Sequence, residues 1–148
     1  MKYEKIWNKI LNPNEKVEIE LSVGERYRKM ILIVWILIAL LFLAIWPLSV
    51  LLVILGILHF VYIRIANAYA FTNKRALIHV GWLSTVAKSV NFEKITEVSV
   101  YEPFLSRIIT KTGDLTINTG NMTDTLILKN IEKPYEVKKK LDSLRNNN

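Results

Sequence analysis

An uncharged apolar block near the middle of the sequence constrains the fold more than any other feature. The segment Met30–Ile63 contains 34 residues, and none of them is Asp, Glu, Lys or Arg. A single straight helix of this length would measure roughly 51 Å, whereas the hydrocarbon core of a bilayer is about 30 Å thick. One span is therefore too long, but two spans fit if the chain turns near the middle. The alternative is a helical hairpin buried in a soluble core, but a chain of 148 residues rarely buries so long an uncharged segment.

A proline lies close to the middle of this block. Because proline lacks a backbone donor and clashes with the preceding helical turn, Pro47 predicts the end of one helix and the start of the next. We therefore predict a transmembrane helical hairpin with arms Met30–Trp46 and Leu48–Ile65. Each arm is close to the shorter limit for a membrane-spanning helix.

Basic residues adjoin both ends of the block, and the turn between the arms carries no charge. They are Arg26, Arg28 and Lys29 before the first arm, and Arg64, Lys74 and Arg75 after the second. Because basic flanks stay on the cytoplasmic side, we expect a plasma-membrane protein with two spans and both termini cytoplasmic. The charged start of the chain does not fit a cleavable signal peptide, so the hairpin is expected to persist.

The overall charge and the cysteine content narrow the range of partners. The net charge is +7, which suits a protein close to an anionic inner leaflet. Nucleic acid is the other partner that basicity suggests, but no nucleic-acid-binding motif is present, and we expect none to bind. The chain has no cysteine, which excludes disulfides and thiolate metal sites.

The arm before the hairpin, residues 1–29, contains two short predicted elements. Apolar residues at helical spacing in Lys2–Leu11 predict a helix with one apolar face that includes Trp7. This helix either rests at the lipid headgroup boundary or packs on the protein's own cytoplasmic domain, and the pattern leaves both open. Glu15–Val23 alternates apolar and polar residues, which predicts a strand that joins a sheet formed by the C-terminal region.

The ionisable residue His59 lies inside the second arm. An ionisable side chain inside a span is a functional candidate by default. However, neither arm contains an acidic partner for a proton relay. We therefore interpret His59 as a neutral histidine that is hydrogen-bonded or interfacial.

The C-terminal region, residues 66–148, changes to short alternating runs separated by turn residues. The predicted strands are Ala68–Thr72, Arg75–Val80, Trp82–Asn91, Ile95–Glu102, Gly113–Thr119 and Thr123–Lys129, and a helix follows over Glu132–Arg145. Phe104–Lys111 is predicted to be a connector. The fold class is therefore α+β: a two-helix transmembrane hairpin followed by an antiparallel sheet and a C-terminal helix.

Several short motifs in this order resemble one family. They are Tyr69-Ala-Phe-Thr-Asn-Lys-Arg75, Phe92-Glu-Lys-Ile95, Leu105-Ser-Arg107, Gly113-Asp-Leu-Thr-Ile-Asn-Thr-Gly120 and Ile131-Glu-Lys-Pro134. After a membrane hairpin, this order resembles the bacterial pleckstrin-homology (PH)-like membrane proteins of the YdbS-like group. The resemblance implies a bent antiparallel sheet or partial barrel that the C-terminal helix closes. It implies no catalytic residues, since members of the group are mostly uncharacterised.

Three basic residues are candidates for contact with lipid or a partner: Lys74, Arg75 and Arg107. Lys74 and Arg75 belong to the first predicted β-hairpin, and Arg75 occupies the arginine of the family motif. Arg75 either holds that hairpin together or meets a lipid phosphate. We favour the structural or interfacial role.

Enzyme motifs are absent from the sequence. It has no glycine-rich phosphate loop, no His-Glu-x-x-His helix and no nucleophile elbow. We therefore predict no catalytic, cofactor or metal residues. The predicted function is a membrane-anchored, non-enzymatic binding or scaffolding module that engages a protein partner, itself or anionic lipid, with an open sheet edge available for a partner strand. The alternative is an accessory subunit of a membrane stress or transport complex that acts through its spans.

Overall fold

The computed structural model describes residues 3–120 and 125–146. Within these ranges, seven strands form two antiparallel sheets, and the helices lie before, between and after them. The elements are α1 (Glu4–Trp7), β1 (Val17–Ser22), α2 (Glu25–Leu41), α3 (Trp46–Ala66), β2 (Asn67–Thr72), β3 (Arg75–Val80), β4 (Val86–Asn91), β5 (Ile95–Tyr101), β6 (Thr112–Thr119), β7 (Leu126–Glu132) and α4 (Pro134–Asn146).

The helical hairpin α2–α3 is inserted between two neighbouring strands of one sheet. The first sheet has the order β1-β2-β3-β4, and Ser22 at the end of β1 pairs with Ala68 near the start of β2. The chain therefore leaves the sheet into α2 and returns from α3 to almost the same place. The predicted pairing of the N-terminal strand with the C-terminal region is confirmed.

The main apolar core lies between the two sheets and under α4. The second sheet has the order β5-β6-β7, and a single bridge between Val23 and Ile131 connects it to the end of β1. Inward residues of both sheets, such as Phe71 and Leu115, pack with Leu141 of α4, and all three are fully buried. The α+β class, with a closing C-terminal helix, agrees with the prediction.

The turn of the helical hairpin differs from the prediction. α2 ends at Leu41, the turn occupies residues 42–45, and α3 begins at Trp46. Pro47 therefore lies in the first turn of α3. Its missing N–H costs nothing there, because the first N–H groups of a helix have no intrahelical partner. The prediction that the second helix starts at Pro47 is confirmed to within about one residue, whereas the prediction that the first helix continues to Trp46 is wrong, because α2 ends at Leu41.

One of the two hairpin helices is long and apolar enough to cross a membrane by itself. Within the described ranges this is α3, with a mean hydropathy of 2.3 over its most apolar part, of which 11% is buried. α2 is shorter, and its first turn is charged. Most large apolar side chains of both helices, such as Leu41 and Leu58, are exposed.

Other boundaries move by a few residues. β4 begins at Val86 and not at Trp82, because Gly81 has a φ of +112° and a loop follows it. The connector before β6 contains a π-helical turn at Ser106–Thr110. α1 is shorter than predicted, although turn hydrogen bonds continue to Leu11. The predicted strand Thr123–Lys129 starts among residues 121–124, which lie outside the described ranges.

Candidate functional site

The strands of the first sheet have two ends of different character. At one end, here called the hairpin end, Asn67 pairs with Val80 beside the last residue of α3. At the other, here called the far end, the β2–β3 turn carries Lys74. β2 is six residues long, so the two ends are about 20 Å apart.

At the far end, Arg75 forms a two-point ion pair with Glu15. Its Nε donates to Glu15 Oε1 at 2.8 Å, and its Nη2 donates to Glu15 Oε2 at 2.8 Å. Nη2 also donates to the Ile10 carbonyl oxygen at 3.0 Å. The side chain of Glu15 is 2% exposed and that of Arg75 is 15% exposed. The guanidinium therefore ties the N-terminal segment to the start of β3.

Thr72 completes this network. Its Oγ1 lies 2.7 Å from Glu15 Oε1 and accepts hydrogen bonds from the backbone N–H groups of Lys74 and Arg75 at 3.1 and 3.0 Å. Thr72 is fully buried. The threonine and arginine of the motif Tyr69–Arg75 therefore share one carboxylate partner and hold the turn between them. The sequence left two roles open for Arg75, a structural one and contact with a lipid phosphate. This geometry favours the structural role.

The network also determines the charge state of Glu15. Burial alone would raise the pKa of this carboxyl. The hydrogen bond from Arg75 outweighs burial, with help from the Asn12 N–H and Thr72, so that the pKa falls to about 2. Glu15 is therefore ionised at every ordinary pH, which keeps the pair with Arg75 formed.

The three basic candidates do not form one site. Lys74 is exposed in the far-end turn, and the guanidinium of Arg75 is held beside it by Glu15. Arg107 is exposed in the π-helical turn, which contacts α2 at the hairpin end. A surface that meets Arg107 therefore lies at the opposite end of the sheet from one that meets Lys74.

The N-terminal segment packs on the outer face of the first sheet. Trp7 is fully buried against Ala68, Ala70 and Leu77, and its Nε1 donates to Glu20 Oε1 at 3.0 Å. Small alanines on β2 leave the space that the indole fills. Of the two interpretations left open by the sequence, the structure therefore shows packing on the protein's own domain.

The same segment also reaches α3. The hydroxyl of Tyr3 donates to the carbonyl oxygen of Arg64 at 2.6 Å. Arg64 lies in the last turn of α3, where carbonyl groups have no intrahelical partner. The N-terminal segment thus fastens the end of α3 to the sheet.

His59 has a partner within the hairpin. The Nε1 of Trp35 on α2 donates to His59 Nδ1 at 3.1 Å, and the two rings meet edge to face. An indole can only donate, so Nδ1 must accept with its lone pair. This contact agrees with a hydrogen-bonded histidine and provides no path for a proton relay.

Small residues bring the two helices together. A Cβ at Gly56 would lie 2.6 Å from the Cβ of Trp35, and Ser49 donates to the Ala39 carbonyl oxygen at 3.0 Å. Both Gly56 and Ala39 are buried within the hairpin. They are therefore used by the two helices of this chain and are not exposed to a third helix.

A buried arginine lies near the base of the helical hairpin. Arg28 on α2 is 6% exposed, and its guanidinium carbon lies 5.3 Å from the centre of the Phe60 ring on α3. This distance is suitable for a cation–π contact. Its Nε makes no hydrogen bond within the described residues. The residue joins the two helices where they leave the sheet.

Among the described residues, two cavities open at the far end. One of about 370 Å³ adjoins the Glu15–Arg75 pair and is lined in part by Lys74 and Glu93. The other, of about 790 Å³, lies beside β4 and is lined in part by Lys88 and Lys94. Across residues 3–120 and 125–146, no three His, Cys, Asp or Glu residues are grouped to hold a metal ion.

One strand edge borders the larger cavity. β4 is the last strand of its sheet and pairs with β3 alone in the described part of the chain. Most of its residues are exposed. The other edge of β4 therefore offers backbone donors and acceptors of the kind that an added strand uses.

Comparison with known proteins supports the fold. Two crystal structures superpose with a TM-score of 0.52. One, from Shewanella loihica, is a duf1696 family protein with a pleckstrin-homology domain; it is 15% identical, and the match covers 95% of this chain and 91% of that one. The other, a pleckstrin homology domain from Shewanella amazonensis, is 10% identical, with coverage of 97% and 96%. No curated protein matches the sequence.

A family model agrees with these structural neighbours. The model described as Bacterial PH domain matches residues 21–145, a range that starts in β1 and ends in α4. The match therefore includes the inserted helical hairpin, strands β2 to β7 and the closing helix, but only the end of β1. This chain belongs to the bacterial PH domain family.

Proposed function

We propose that the protein is a membrane-anchored, non-catalytic binding module. In this proposal the α2–α3 hairpin crosses the bilayer twice, and the PH-like domain binds its partner in the cytoplasm. The single observation that carries the proposal is the insertion of an apolar, largely exposed helical hairpin between adjacent strands of a folded domain.

The surface of the hairpin supports an anchoring role. Leu41, Leu58 and their apolar neighbours on both helices project outward and are left largely exposed by the residues that the structure describes. Soluble monomers rarely expose a continuous apolar surface of this kind. A lipid environment removes that surface from water, whereas the backbone groups of the helices are already paired internally.

Charge supports the orientation. The turn at residues 42–45 carries no charge, whereas Arg26, Lys29 and Arg64 are exposed where the helices join the sheet. Basic residues next to a span favour the cytoplasmic side. The domain and both termini are therefore assigned to the cytoplasm.

The far end is the proposed partner-binding region. It combines the exposed Lys74, the adjoining cavity and the open edge of β4. A partner that adds a strand to β4 would gain main-chain hydrogen bonds, and Lys74 would favour an acidic segment. The guanidinium of Arg75 holds the adjacent turn in place, since it is paired with Glu15.

Topology is tested by cysteine labelling of intact cells, because the chain has no cysteine of its own. Leu43→Cys lies in the turn, and Lys139→Cys lies on the exposed side of α4. We expect a membrane-impermeant maleimide to label position 43 from outside and position 139 only after permeabilisation. Recovery of the chain in the soluble fraction, or labelling of position 139 from outside, would overturn the proposal.

Partner binding is tested separately by pull-down from detergent-solubilised membranes. Lys74→Glu reverses the charge at the far end, and Lys139→Glu on α4 is the charge-matched control. We expect partners retained by the intact protein to be lost with Lys74→Glu and kept with Lys139→Glu. Arg75→Ala is unsuitable as the only variant, because it also removes the ion pair with Glu15.

A further inference from the structure

Two loops at the hairpin end expose large apolar side chains. The β3–β4 loop, residues 81–85, carries Trp82 and Leu83, which are 61% and 91% exposed. The β5–β6 loop, residues 102–111, exposes Phe104, Leu105, Ile108 and Ile109, each by more than half. Apolar residues in such number are unusual in exposed loops, which are mostly polar.

Each loop lies beside a different helix of the hairpin. The N–H of Gly81 donates to the carbonyl oxygen of Ala66, the last residue of α3, at 2.8 Å. The π-helical turn Ser106–Thr110 contacts α2. A Cβ at Gly24, just before α2, would lie 2.6 Å from Thr112, which directly follows the second loop. The two loops therefore flank the level at which the hairpin leaves the domain.

The far end of the same domain has no such loops in the part that the structure describes. Its β2–β3 turn is Asn73-Lys74, and its β4–β5 connection exposes Glu93 and Lys94 while Phe92 is buried. Among the described loops, clusters of exposed apolar side chains therefore occur at the end from which the hairpin emerges. The need for a solvated surface applies equally to loops at both ends, so it does not explain why large apolar side chains are exposed at one of them.

We propose that both loops enter the interface of the bilayer on either side of the hairpin. The inference rests on the proposed membrane anchoring and adds the orientation of the domain. Trp82 suits the headgroup level, where tryptophan is enriched, and Leu83, Ile108 and Ile109 suit the acyl boundary below it. Arg107 and Lys111 are exposed in the second loop, where they meet anionic headgroups.

A bilayer covers the exposed apolar side chains of both loops at once. They come from different sheets and lie beside different helices, so a protein partner would need to surround the base of the hairpin. Both loops flank the base of the hairpin, so the lipid that covers the apolar surface of its helices also covers the loops. The domain is then held at three places in one orientation, with the turn at Lys74 directed away from the membrane.

Depth-dependent quenching tests the inference on the full chain in liposomes of phosphatidylcholine and phosphatidylglycerol. Single cysteines at Leu83→Cys and Ile109→Cys carry a bimane fluorophore, and doxyl-labelled lipids act as quenchers. Ile54→Cys, on the exposed side of α3, reports anchoring, and Ile127→Cys, an exposed isoleucine on β7, is the matched control outside the loops.

We expect bimane at positions 83 and 109 to shift to the blue and to lose most of its fluorescence to shallow quenchers. Position 54 responds to deep quenchers, and position 127 responds to neither. If position 54 is quenched and the loop positions are not, the inference fails while the anchoring stands. If position 54 is not quenched either, the proposed function fails as well. Crosslinking of the loop cysteines between two copies, without quenching by lipid, also overturns the inference.

Discussion

Glu15 and Arg75 form a two-point ion pair, with both N–O distances at 2.8 Å, that joins the segment before β1 to the first residue of β3. The helical hairpin separates these residues in the sequence. The pair therefore holds together the two parts of the domain that the hairpin interrupts. Since the Glu15 carboxylate is 2% exposed, removing Arg75 leaves its negative charge buried.

Replacement of Arg75 should destabilise the domain strongly. Arg75→Ala leaves the Glu15 carboxylate without its cation, and breaking a buried pair in this way costs about 3 kcal/mol. Arg75→Lys recovers only part of the loss, because an ammonium cannot make both bonds of the fork. The free energy of unfolding of the full chain in detergent measures the effect.

Lys74→Ala is the matched control for that experiment. Lys74 is adjacent but exposed, and an exposed substitution of this kind changes stability by within about 0.5 kcal/mol. Equal stabilities for the variants at positions 74 and 75 would contradict the structural role of the ion pair.

The low pKa of Glu15 predicts an acid-dependent part of the stability. The unfolded carboxyl has a pKa near 4.5, and the folded one has a pKa of about 2. Below 4.5 the unfolded chain binds a proton that the folded chain does not, so stability falls as the pH decreases towards 2. The stabilisation is complete above 4.5.

Glu15→Gln isolates this contribution from those of the other carboxylates. The wild-type protein should be more stable than Glu15→Gln at neutral pH, and the difference should shrink between pH 4.5 and about 2. Unfolding curves of both proteins at several pH values measure it. A constant difference across this range would contradict the ion pair as its source.

Features encoded by local pattern were predictable from the sequence. The lack of charge in Met30–Ile63 revealed the helical hairpin, and period-two alternation located β1 and β5. The start of the second helix at Pro47 was predicted correctly, but the end of the first helix was placed wrongly at Trp46, because a proline suits the first turn of a helix as well as it ends one. Local sequence rules alone do not show whether a proline ends one helix or only starts the next.

Contacts between distant segments were not predictable in the same way. The partner of Arg75 follows from the pairing of Val17 with Thr72, which brings Glu15 next to the β2–β3 turn. That register depends on the fold and is not visible in the motif itself. Likewise, Ala68 and Ala70 on the outer face of β2 are buried because Trp7 covers them. This contact is visible only once the sheet is assembled.

Truncation of Trp7 should destabilise the first sheet. The indole is fully buried, so Trp7→Ala leaves a large cavity over Ala68 and Ala70 and costs about 3–5 kcal/mol. It also removes the donor to Glu20. Thermal unfolding measures the loss. Tyr135→Ala is the control, since Tyr135 is 58% exposed on α4 and its loss should barely change the unfolding temperature.

Gly56 should tolerate no side chain at the contact between the hairpin helices. Alanine normally stabilises a helix by about 1 kcal/mol relative to glycine. Here its Cβ would lie 2.6 Å from Trp35 Cβ, so Gly56→Ala must push α2 and α3 apart and weaken the bond from Trp35 to His59. We expect a lower unfolding temperature in detergent and a longer distance between spin labels at Ile36→Cys and Ile57→Cys.

A glycine with free space around it provides the comparison. Among the described residues, the nearest atom to a Cβ at Gly120 is Thr96 Cγ2 at 4.0 Å, and no positive φ requires a glycine there. Gly120→Ala should therefore unfold at the wild-type temperature and leave the spin-label distance unchanged. If Gly56→Ala behaves in the same way, the close approach of the two helices at Trp35 is not what holds the hairpin, and the packing described for it must be revised.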